Sequence, residues 1–302
     1  MTKVLTMARL TLRDFEARKE AEAAAATLEP WVTVERHDAG EMLRVGNAWT
    51  RALFDGDFFL SPLSPGDLPS TSLVFVQSRD GNTVAKNPSL LGGGETDKHL
   101  VYEGLSRVAA DAVLAGAETI RDGRIVLSVW HPQLVDLRGS LGLPRHPVQI
   151  VATLRGVQFD EGVLFNEPDL RVILLTVPAC SLVMHHALAQ RPWITPVIMK
   201  NARDLAEGFR QLRRLGIQRI SCIGGRTLAG QLIDAGLVDD LYLTTSAREG
   251  GEPNTPLYGK PIDGRIVVRK RGTGADAGVT FEHKSFGHKA DHRQSAFSDR
   301  VF

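Results

Sequence analysis

Two glycine-containing segments, about a hundred residues apart, are the parts of this sequence best suited to binding a ligand. The first reads Asp111-Ala-Val-Leu-Ala-Gly116-Ala-Glu-Thr119, and the second reads Ile220-Ser-Cys-Ile-Gly224-Gly225-Arg226-Thr227-Leu228. In each, a short apolar run ends at glycine, and a hydroxyl residue follows two or three positions later. Glycine leaves backbone N–H groups accessible, and the free N–H groups at a helix start attract anions. The pair favours a ligand with an extended phosphate chain, such as a dinucleotide.

The second segment predicts a tight turn between a buried strand and a helix. Gly224 and Gly225 remove two Cβ atoms at the turn, Arg226 adds a positive charge, and Thr227 can cap the helix that follows. The spacing is not Gly-x-Gly-x-x-Gly, so it does not predict the Rossmann dinucleotide fold. A Gly-Gly pair alone is typical of an ordinary turn. Its repetition in the first segment is what supports a binding site.

Alternating strands and helices must position these two segments. The pattern predicts strands over residues 73–77, 112–115, 148–152, 171–176, 217–223 and 241–245, with later strands over 266–269 and 279–283. Helices are predicted over 99–110, over 227–235, and around Leu205, Phe209 and Leu212, the last capped by Asn201 and ended by Gly216. This alternation predicts an α/β fold with a mostly parallel central sheet and helices on both faces. Ligands of such sheets bind at the carboxyl ends of the strands, where both segments lie.

The chain divides into three parts. Residues 1–70 predict a helical N-terminal arm and linker, with an amphipathic helix over 12–28 and a Pro/Ser/Gly stretch over 61–70. We expect this arm to pack on the main domain or on a second subunit, in preference to forming a separate catalytic unit. Residues 71–285 form the main domain, and residues 286–302 form a polar tail.

Bulk composition excludes some function classes. The net charge is +1, so no global charge attracts nucleic acid or an anionic membrane, and no apolar run approaches the ~20 residues of a membrane span. The two cysteines, Cys180 and Cys222, predict buried thiols in a reducing compartment, with a cytoplasmic location. His185 and His186 lack the further ligands of a metal set, so no metal site is predicted.

Three motifs resemble the reductase domain of bacterial riboflavin biosynthesis, the RibD C-terminal domain family. The first is Ser78-Arg-Asp80-Gly81, which is similar to the Ser-Leu-Asp-Gly of that family. The second runs from Leu105-Ser-Arg107 to Thr119, and the third from Gly224-Gly225 to Asp239, both in the family's order and at similar spacing. The resemblance covers roughly residues 72–270. It implies a dihydrofolate-reductase-like fold, NADPH as the cofactor and a homodimer.

The resemblance also implies roles for individual residues. Those expected to contact NADPH are Gly116, Ala117, Thr119, Thr153, Arg155, Gly224, Gly225, Arg226, Thr227 and Leu228, with Thr153 and Arg155 beside the adenosine 2′-phosphate. Ser78, Arg107 and Ser128 are expected on the substrate side. Arg155 could equally be a solvated loop arginine and Arg107 a helix-surface residue, while Ser128 is more typical of an ordinary strand or loop serine.

The source of a proton is open in the sequence, with Asp80, Asp97 or a water as candidates. Asp97 follows the glycine run Gly92–Gly94, and two interpretations compete for it. The favoured one is a helix start capped by Thr96 or Asp97. The other is a loop that closes over substrate, with Asp97 or His99 as the proton source.

Two positions depart from the family pattern. The family glutamate before Gly-Gly is Ile223 here, and the family lysine four residues before the first-motif serine is Val74. The zinc deaminase segment of the bifunctional family members is absent from the sequence. The leading hypothesis is an NADPH-dependent reductase of the riboflavin-pathway type, or of a related pyrimidine- or pteridine-like substrate. The alternative is a nucleotide-binding regulatory or assembly protein of the same fold that has lost catalysis.

Overall fold

The computed structural model describes residues 11–85, 91–120, 125–159 and 162–287. The strands are β1 (Trp31–Arg36), β2 (Leu43–Val45), β3 (Phe58–Leu60), β4 (Ser70–Gln77), β5 (Ala112–Gly116), β6 (Val148–Ala152), β7 (Val172–Thr176), β8 (Ile194–Ile198), β9 (Arg219–Cys222), β10 (Asp240–Thr245), β11 (Arg265–Gly272) and β12 (Thr280–Ser285). The helices are α1 (Leu12–Ala25), α2 (Ala48–Phe54), α3 (Gly94–Thr96), α4 (Ser106–Val108), α5 (Pro132–Ser140), α6 (Val163–Asn166), α7 (Pro178–Ala189), α8 (Leu205–Arg214) and α9 (Arg226–Asp234). A π-helix (Asp97–Leu105) joins α3 to α4, and a 3₁₀ turn (Gly274–Asp276) precedes β12.

One large sheet organises the described part of the chain. Ten strands follow the order β1-β11-β12-β10-β4-β9-β5-β6-β7-β8, and β2 pairs with β3 separately. The seven strands from β10 to β8 in this order are mutually parallel, whereas β12, β11 and β1 pair antiparallel. The prediction of a mostly parallel sheet is confirmed. The carboxyl ends of β4, β5, β6, β9 and β10 therefore lie along one edge.

Helices cover both faces of the sheet, because the parallel strands are apolar on both sides. Along β5, Val113 and Ala115 join one core cluster, and Ala112 and Leu114 join the other. The first face is covered by α1, the π-helix, α5 and α7, and the second by α8 and α9. Strands buried on both faces are continuously hydrophobic and do not alternate, which is why these runs were readable in the sequence.

The N-terminal segment is more than a helical arm. It contains α1 as predicted, within narrower bounds, but β1 pairs with β11 and so forms one end of the main sheet. Helix α1 begins at Thr11, whose side chain and that of Asp14 form a reciprocal capping box. Ion pairs of Lys19 with Glu103 and of Arg145 with Glu20 link α1 to the main domain. The segment packs on its own chain, as one of the two interpretations expected.

The buried amine of Lys270 ties this segment to the sheet. Its Nζ donates to Thr33 Oγ1 at 2.8 Å and to the Asp55 carbonyl at 3.2 Å, and it lies 4.3 Å from the centre of the Phe54 ring. Burial lowers the pKa of Lys270 from 10.5 to about 8. The folded protein therefore binds this proton less tightly than the unfolded chain does.

We expect Lys270 to make stability depend on pH in the alkaline range. Between about pH 8 and 10.5 the unfolded chain carries the Lys270 proton and the folded protein does not, so the unfolding free energy rises with pH there. The gain should be roughly 3 kcal/mol. Denaturant unfolding across this range should show the rise, and Lys270→Met should remove it. An identical pH dependence in the two proteins would contradict the prediction.

Several local predictions were wrong. The side chain of Asn201 accepts from the Arg203 N–H and does not cap α8, which Asp204 precedes without a side-chain cap bond. The helix predicted over 99–110 is present over residues 97–108, as a π-helix that runs into α4. Most of the predicted polar tail lies outside the described residues. In the part of the chain that the structure describes, no helix is long and apolar enough to cross a membrane.

Candidate functional site

The two glycine segments meet at the carboxyl edge of the sheet. Strands β5 and β9 are parallel neighbours, with Leu114 opposite Cys222. The Gly116 N–H donates to the Gly224 carbonyl at 3.0 Å, and the Gly225 N–H donates to Thr119 Oγ1 at 3.4 Å. Ala117, which follows Gly116 in the chain, donates its N–H to the Ala152 carbonyl of β6 at 2.9 Å. Sequence reasoning placed these segments on one edge, and the structure brings them into direct contact.

Protein packing does not account for all of these glycines. Gly224 has φ +133°, a conformation that favours glycine. A Cβ added at Gly116, however, would meet no protein atom nearer than the Gly224 carbonyl oxygen, at 3.9 Å, and one at Gly225 none nearer than Thr119 Oγ1, also at 3.9 Å. Protein packing alone would therefore admit a Cβ atom at Gly116 and Gly225, as expected where another molecule approaches the backbone.

The loop after β6 extends this edge towards a cleft. Thr153 Oγ1 accepts from the Gly156 N–H at 3.0 Å and donates to the Gly156 carbonyl at 2.9 Å, so it closes the turn that carries Arg155. Arg155 is exposed and lines a cleft of about 540 Å³. The other described lining residues are Ala117, Glu118, Ile120, Gly156, Val157, Gln158, Phe159, Phe165, Val183, Met184 and Ala187. The aromatic and thioether side chains of this cleft were not identified from the sequence.

The residues at the start of α9 that were expected to contact the cofactor differ in their exposure to solvent. Arg226 and Thr227 are exposed and line a smaller cleft of about 260 Å³, whereas Leu228 is buried in the core on the second face. The predicted cap is wrong, because Gly225 occupies the N-cap position and no side chain bonds to the first turn. Free backbone N–H groups thus remain at this helix start.

Ser78 and Asp80 form a turn directly after β4, at the same edge. Ser78 is fully buried, and its Oγ accepts from the Asn82 N–H at 3.0 Å. Asp80 accepts from Asn82 Nδ2 at 2.8 Å and from the Gly250 N–H at 3.1 Å. Hydrogen bonds from Ser78 and from the Gly250 backbone lower the pKa of Asp80. Asp80 is therefore ionised near neutral pH, which makes it unsuitable as a proton donor.

Asp97 has the opposite character. Its side chain is buried, and its Oδ1 accepts from Thr244 Oγ1 at 2.6 Å. Burial raises the pKa of Asp97 to about 6, although the Thr244 hydrogen bond acts against the rise. The predicted cap is wrong here as well, since neither Thr96 nor Asp97 caps the helix through its side chain. Asp97 can hold and release a proton close to neutral pH.

The position of Thr244 sets how far Asp97 lies from the glycine segments. Thr244 pairs with Val76 of β4, and β4 pairs with β9, the strand that leads into Gly224. Neighbouring strands are about 4.8 Å apart, so Thr244 is roughly 10 Å from the turn after β9. The sequence predicted the end of this strand but offered no signal that Thr244 would hold Asp97.

Arg107 and Ser128 lie elsewhere. Both are buried, and Arg107 donates to the Ser128 carbonyl at 3.0 Å. Ser128 Oγ contacts His146 Nδ1 at 3.0 Å, and the neighbouring Leu127 is bonded to Gln149 at the start of β6. They therefore lie at the amino end of the strands, opposite the glycine segments. Internal hydrogen bonds hold both residues away from the edge where the glycine segments meet, which matches the structural interpretation that the sequence left open for each.

Neither cysteines nor metal ligands contribute chemistry in the described residues. Cys180 and Cys222 are free and buried, as predicted, and burial raises the pKa of Cys222 to about 12. No group of three or more His, Cys, Asp or Glu side chains in this part of the chain could hold a metal ion.

The chain matches a known family over most of its length. The sequence profile of the RibD C-terminal domain matches residues 69–263. The chain belongs to this family. No curated protein sequence matches it. The family domain thus begins just before β4 and ends before β11, so the N-terminal segment and the last two strands flank it.

Solved structures of RibD-type proteins have the same fold. A pyrimidine reductase-like protein from Corynebacterium diphtheriae matches with a TM-score of 0.54 and 23% identity, over 72% of this chain and 91% of that one. RibD from Acinetobacter baumannii matches with a TM-score of 0.55 and 14% identity, over 72% of this chain and 58% of that one. The deaminase/reductase from Thermotoga maritima matches with a TM-score of 0.51 and 17% identity, over 72% and 57%. The predicted α/β reductase-domain fold is confirmed.

The two departures from the family pattern are both apolar core residues. Val74 and Ile223 are buried in the cluster on the face that the π-helix covers. In this RibD-type domain, these positions supply no polar group to a ligand. The glutamate and lysine that the resemblance leads one to expect at positions 223 and 74 therefore have no counterpart at these two positions.

Proposed function

We propose that this protein is an NADPH-dependent reductase of the riboflavin-pathway type, acting on a ribosylaminouracil phosphate or a related pyrimidine- or pteridine-like compound. The observation that carries the proposal is the meeting of the two glycine segments at the carboxyl edge of a RibD-type sheet. Membership of the family supports a reductase activity. The cofactor and the substrate are the proposed part.

The residues at this edge fit NADPH. Open space beside Gly116 and Gly225 lets the backbone approach a pyrophosphate, and the uncapped start of α9 has free N–H groups directed at an anion. The cleft beside Arg155 has the aromatic rings of Phe159 and Phe165, against which an adenine ring can pack. The exposed guanidinium of Arg155 suits a 2′-phosphate. When bound, NADPH supplies a hydride for an electron-poor C=N or C=O carbon.

The protein's own part in the chemistry is orientation, exclusion of water and proton supply. We assign the proton to Asp97, because its carboxyl group is buried, is held by Thr244 at the same edge and has a pKa near 6. A proton from Asp97 would go to the nitrogen or oxygen atom of the reduced bond, and solvent would return it. Asp80 is excluded from this role by its lowered pKa.

A second candidate is a nucleotide-binding protein that has lost catalysis. The burial of Val74 and Ile223 in apolar surroundings favours it, because two polar groups expected at the substrate are missing. The two candidates differ in turnover. Titration with NADPH and NADP⁺, followed by the loss of nicotinamide absorbance with the uracil substrate, separates them. Binding without turnover on any heterocycle favours the second candidate, and absence of NADPH binding contradicts both.

We expect Arg155→Ala to weaken NADPH binding roughly 10- to 100-fold, since a charge-assisted hydrogen bond contributes about 1.5–3 kcal/mol. NADH lacks the 2′-phosphate, so its affinity should change little. Calorimetric titration with both cofactors measures the difference. Arg13→Ala, at an exposed arginine of α1, is the matched control and should alter neither affinity. Equal losses for NADPH and NADH would contradict the assignment.

The expected cytoplasmic location and homodimer remain predictions. Sedimentation of the purified protein measures whether it is a homodimer. The N-terminal segment was one candidate for packing on a second subunit, but its strand β1 pairs with β11 of its own chain.

A further inference from the structure

The segments on either side of the family domain meet beside Gly94 and Thr96, just before Asp97 in the chain. Trp31 precedes the matched residues 69–263 and Asp276 follows them, yet both lie beside the helix that Asp97 begins. Trp31 Nε1 donates to Asp276 Oδ2 at 3.4 Å, and both residues are buried. A structural element that the family domain does not itself contain thus packs against the turn that precedes the proposed proton donor.

Two glycines allow the carboxyl groups to come close. A Cβ at Gly94 would lie 2.0 Å from Asp276 Oδ1, and one at Gly93 would lie 2.8 Å from Asp97 Cβ and 2.5 Å from Thr244 Cγ2. No side chain fits at either position without displacing these groups. The glycine run noted in the sequence is therefore the place where Asp276 and Asp97 pack against the chain.

The N-terminal segment holds this arrangement through several contacts. The Glu29 N–H donates to Thr96 Oγ1 at 2.8 Å, and Thr96 Oγ1 donates back to the Glu29 carbonyl at 3.2 Å. Thr273 Oγ1 donates to the Pro30 carbonyl at 2.5 Å, next to the turn that carries Asp276. Trp31 packs against Phe54 and Phe281, with ring centres about 6 Å apart. The residues from Glu29 to Trp31 thus connect the start of the helix to the Asp276 turn.

We infer that Asp276 is a positioning residue, held by Trp31, whose carboxylate adds to the effect of burial in favouring the protonated form of Asp97. The catalytic role of Asp97 in this inference rests on the proposed function, whereas the arrangement of Asp97, Asp276 and Trp31 does not. Two carboxyl groups in one buried place do not both ionise easily, because their charges repel in a medium of low polarity. The N-terminal segment therefore becomes part of the catalytic apparatus and is not only a support for the sheet.

The groups around Asp97 act in opposing directions. Burial and the charge of Asp276, from the turn before β12, raise the pKa of Asp97, whereas Thr244 of β10 and the Gly93 N–H lower it by hydrogen bonding. Tyr102, on the same helix, has a pKa raised by burial and is neutral near pH 7. The N-terminal segment contributes the carboxylate of Glu29, which lies against Gly274 in the Asp276 turn.

The test measures the titration of Asp97 directly. In the cofactor-free protein, carbon-13 NMR of labelled aspartate carboxyl groups, assigned with Asp97→Asn, reports its midpoint. We expect Asp276→Asn to lower this midpoint by roughly half a pH unit and Thr244→Val to raise it by a larger amount. Trp31→Phe should lower it by less, because Phe cannot donate the hydrogen bond that holds the Asp276 carboxylate in place. Trp49→Phe, which replaces the indole ring stacked on His131 by a phenyl ring, should leave it unchanged.

Opposite shifts distinguish positioning from a merely structural role, which would not move the midpoint. An unchanged midpoint in Asp276→Asn, or shifts of Asp276→Asn and Thr244→Val in the same direction, would overturn the inference. Turnover is measured separately on the same variants. If the midpoints shift as expected but no heterocycle is turned over, the inference is upheld and the proposed function is contradicted. If the protein turns over substrate but the midpoints do not shift, the proposed function is upheld and the inference is contradicted.

Discussion

Asp97→Asn should lower kcat by roughly 10²- to 10⁴-fold, the usual contribution of a general acid. The amide retains the size of the side chain and can still pair with Thr244, but it has no acidic proton to donate. NADPH affinity should change by less than about twofold, because Asp97 lies roughly 10 Å from the glycine segments. Stopped-flow absorbance at the nicotinamide band measures turnover, and calorimetry measures binding.

The pH profile provides an independent check of the same assignment. A general acid acts in its protonated form, so kcat of the unmodified protein should fall as the pH rises through about 6. Asp80→Asn is the matched control, since Asp80 is exposed, ionised and bonded to the Gly250 backbone. A large loss in Asp80→Asn, with Asp97→Asn nearly unaffected, would reverse the assignment of the proton donor.

Gly116→Ala is expected to weaken NADPH binding by about 10- to 100-fold while leaving the unfolding free energy nearly unchanged. The protein alone leaves room for the added Cβ, whose nearest neighbour would be the Gly224 carbonyl oxygen at 3.9 Å. A bound pyrophosphate would occupy that room, and an overpacked contact costs about 1–3 kcal/mol. Denaturant unfolding of the cofactor-free protein and NADPH titration measure the two quantities.

Gly139→Ala provides the control for this substitution. Gly139 lies on α5, and a Cβ there would meet nothing within 4 Å, so this substitution likewise causes no clash within the protein. NADPH affinity should therefore be retained in Gly139→Ala. If Gly116→Ala binds NADPH as tightly as the unmodified protein, the glycine segments do not hold the pyrophosphate.

Strand positions were predicted well where the parallel strands are buried on both faces. The prediction for β6 matches its bounds, and those for β5 and β7 differ by one residue, because a continuous apolar run of this length has few alternatives. Helix caps were predicted poorly. Asn201, Thr227 and Thr96 have suitable side chains, but the caps depend on local backbone geometry, which tertiary contacts set.

The contrast between Arg107 and Asp97 shows where residue type misleads. An arginine in a family motif suggested a phosphate ligand, yet its guanidinium donates to the Ser128 carbonyl inside the fold. An aspartate after glycines suggested a cap, yet its carboxyl group is buried against Thr244. Neither partner is near in sequence, so no spacing rule could have identified it.

By itself, the sequence determined the parallel sheet, the family and the edge on which the two glycine segments lie, since these follow from local apolar runs and from motif order. Only the tertiary structure decided that Gly116 contacts Gly224, that Asp97 is bonded to Thr244, and that Asp276 lies against Gly94. Those contacts join residues more than a hundred positions apart, and their energies depend on burial. Burial is a property of the packed molecule that no segment has alone.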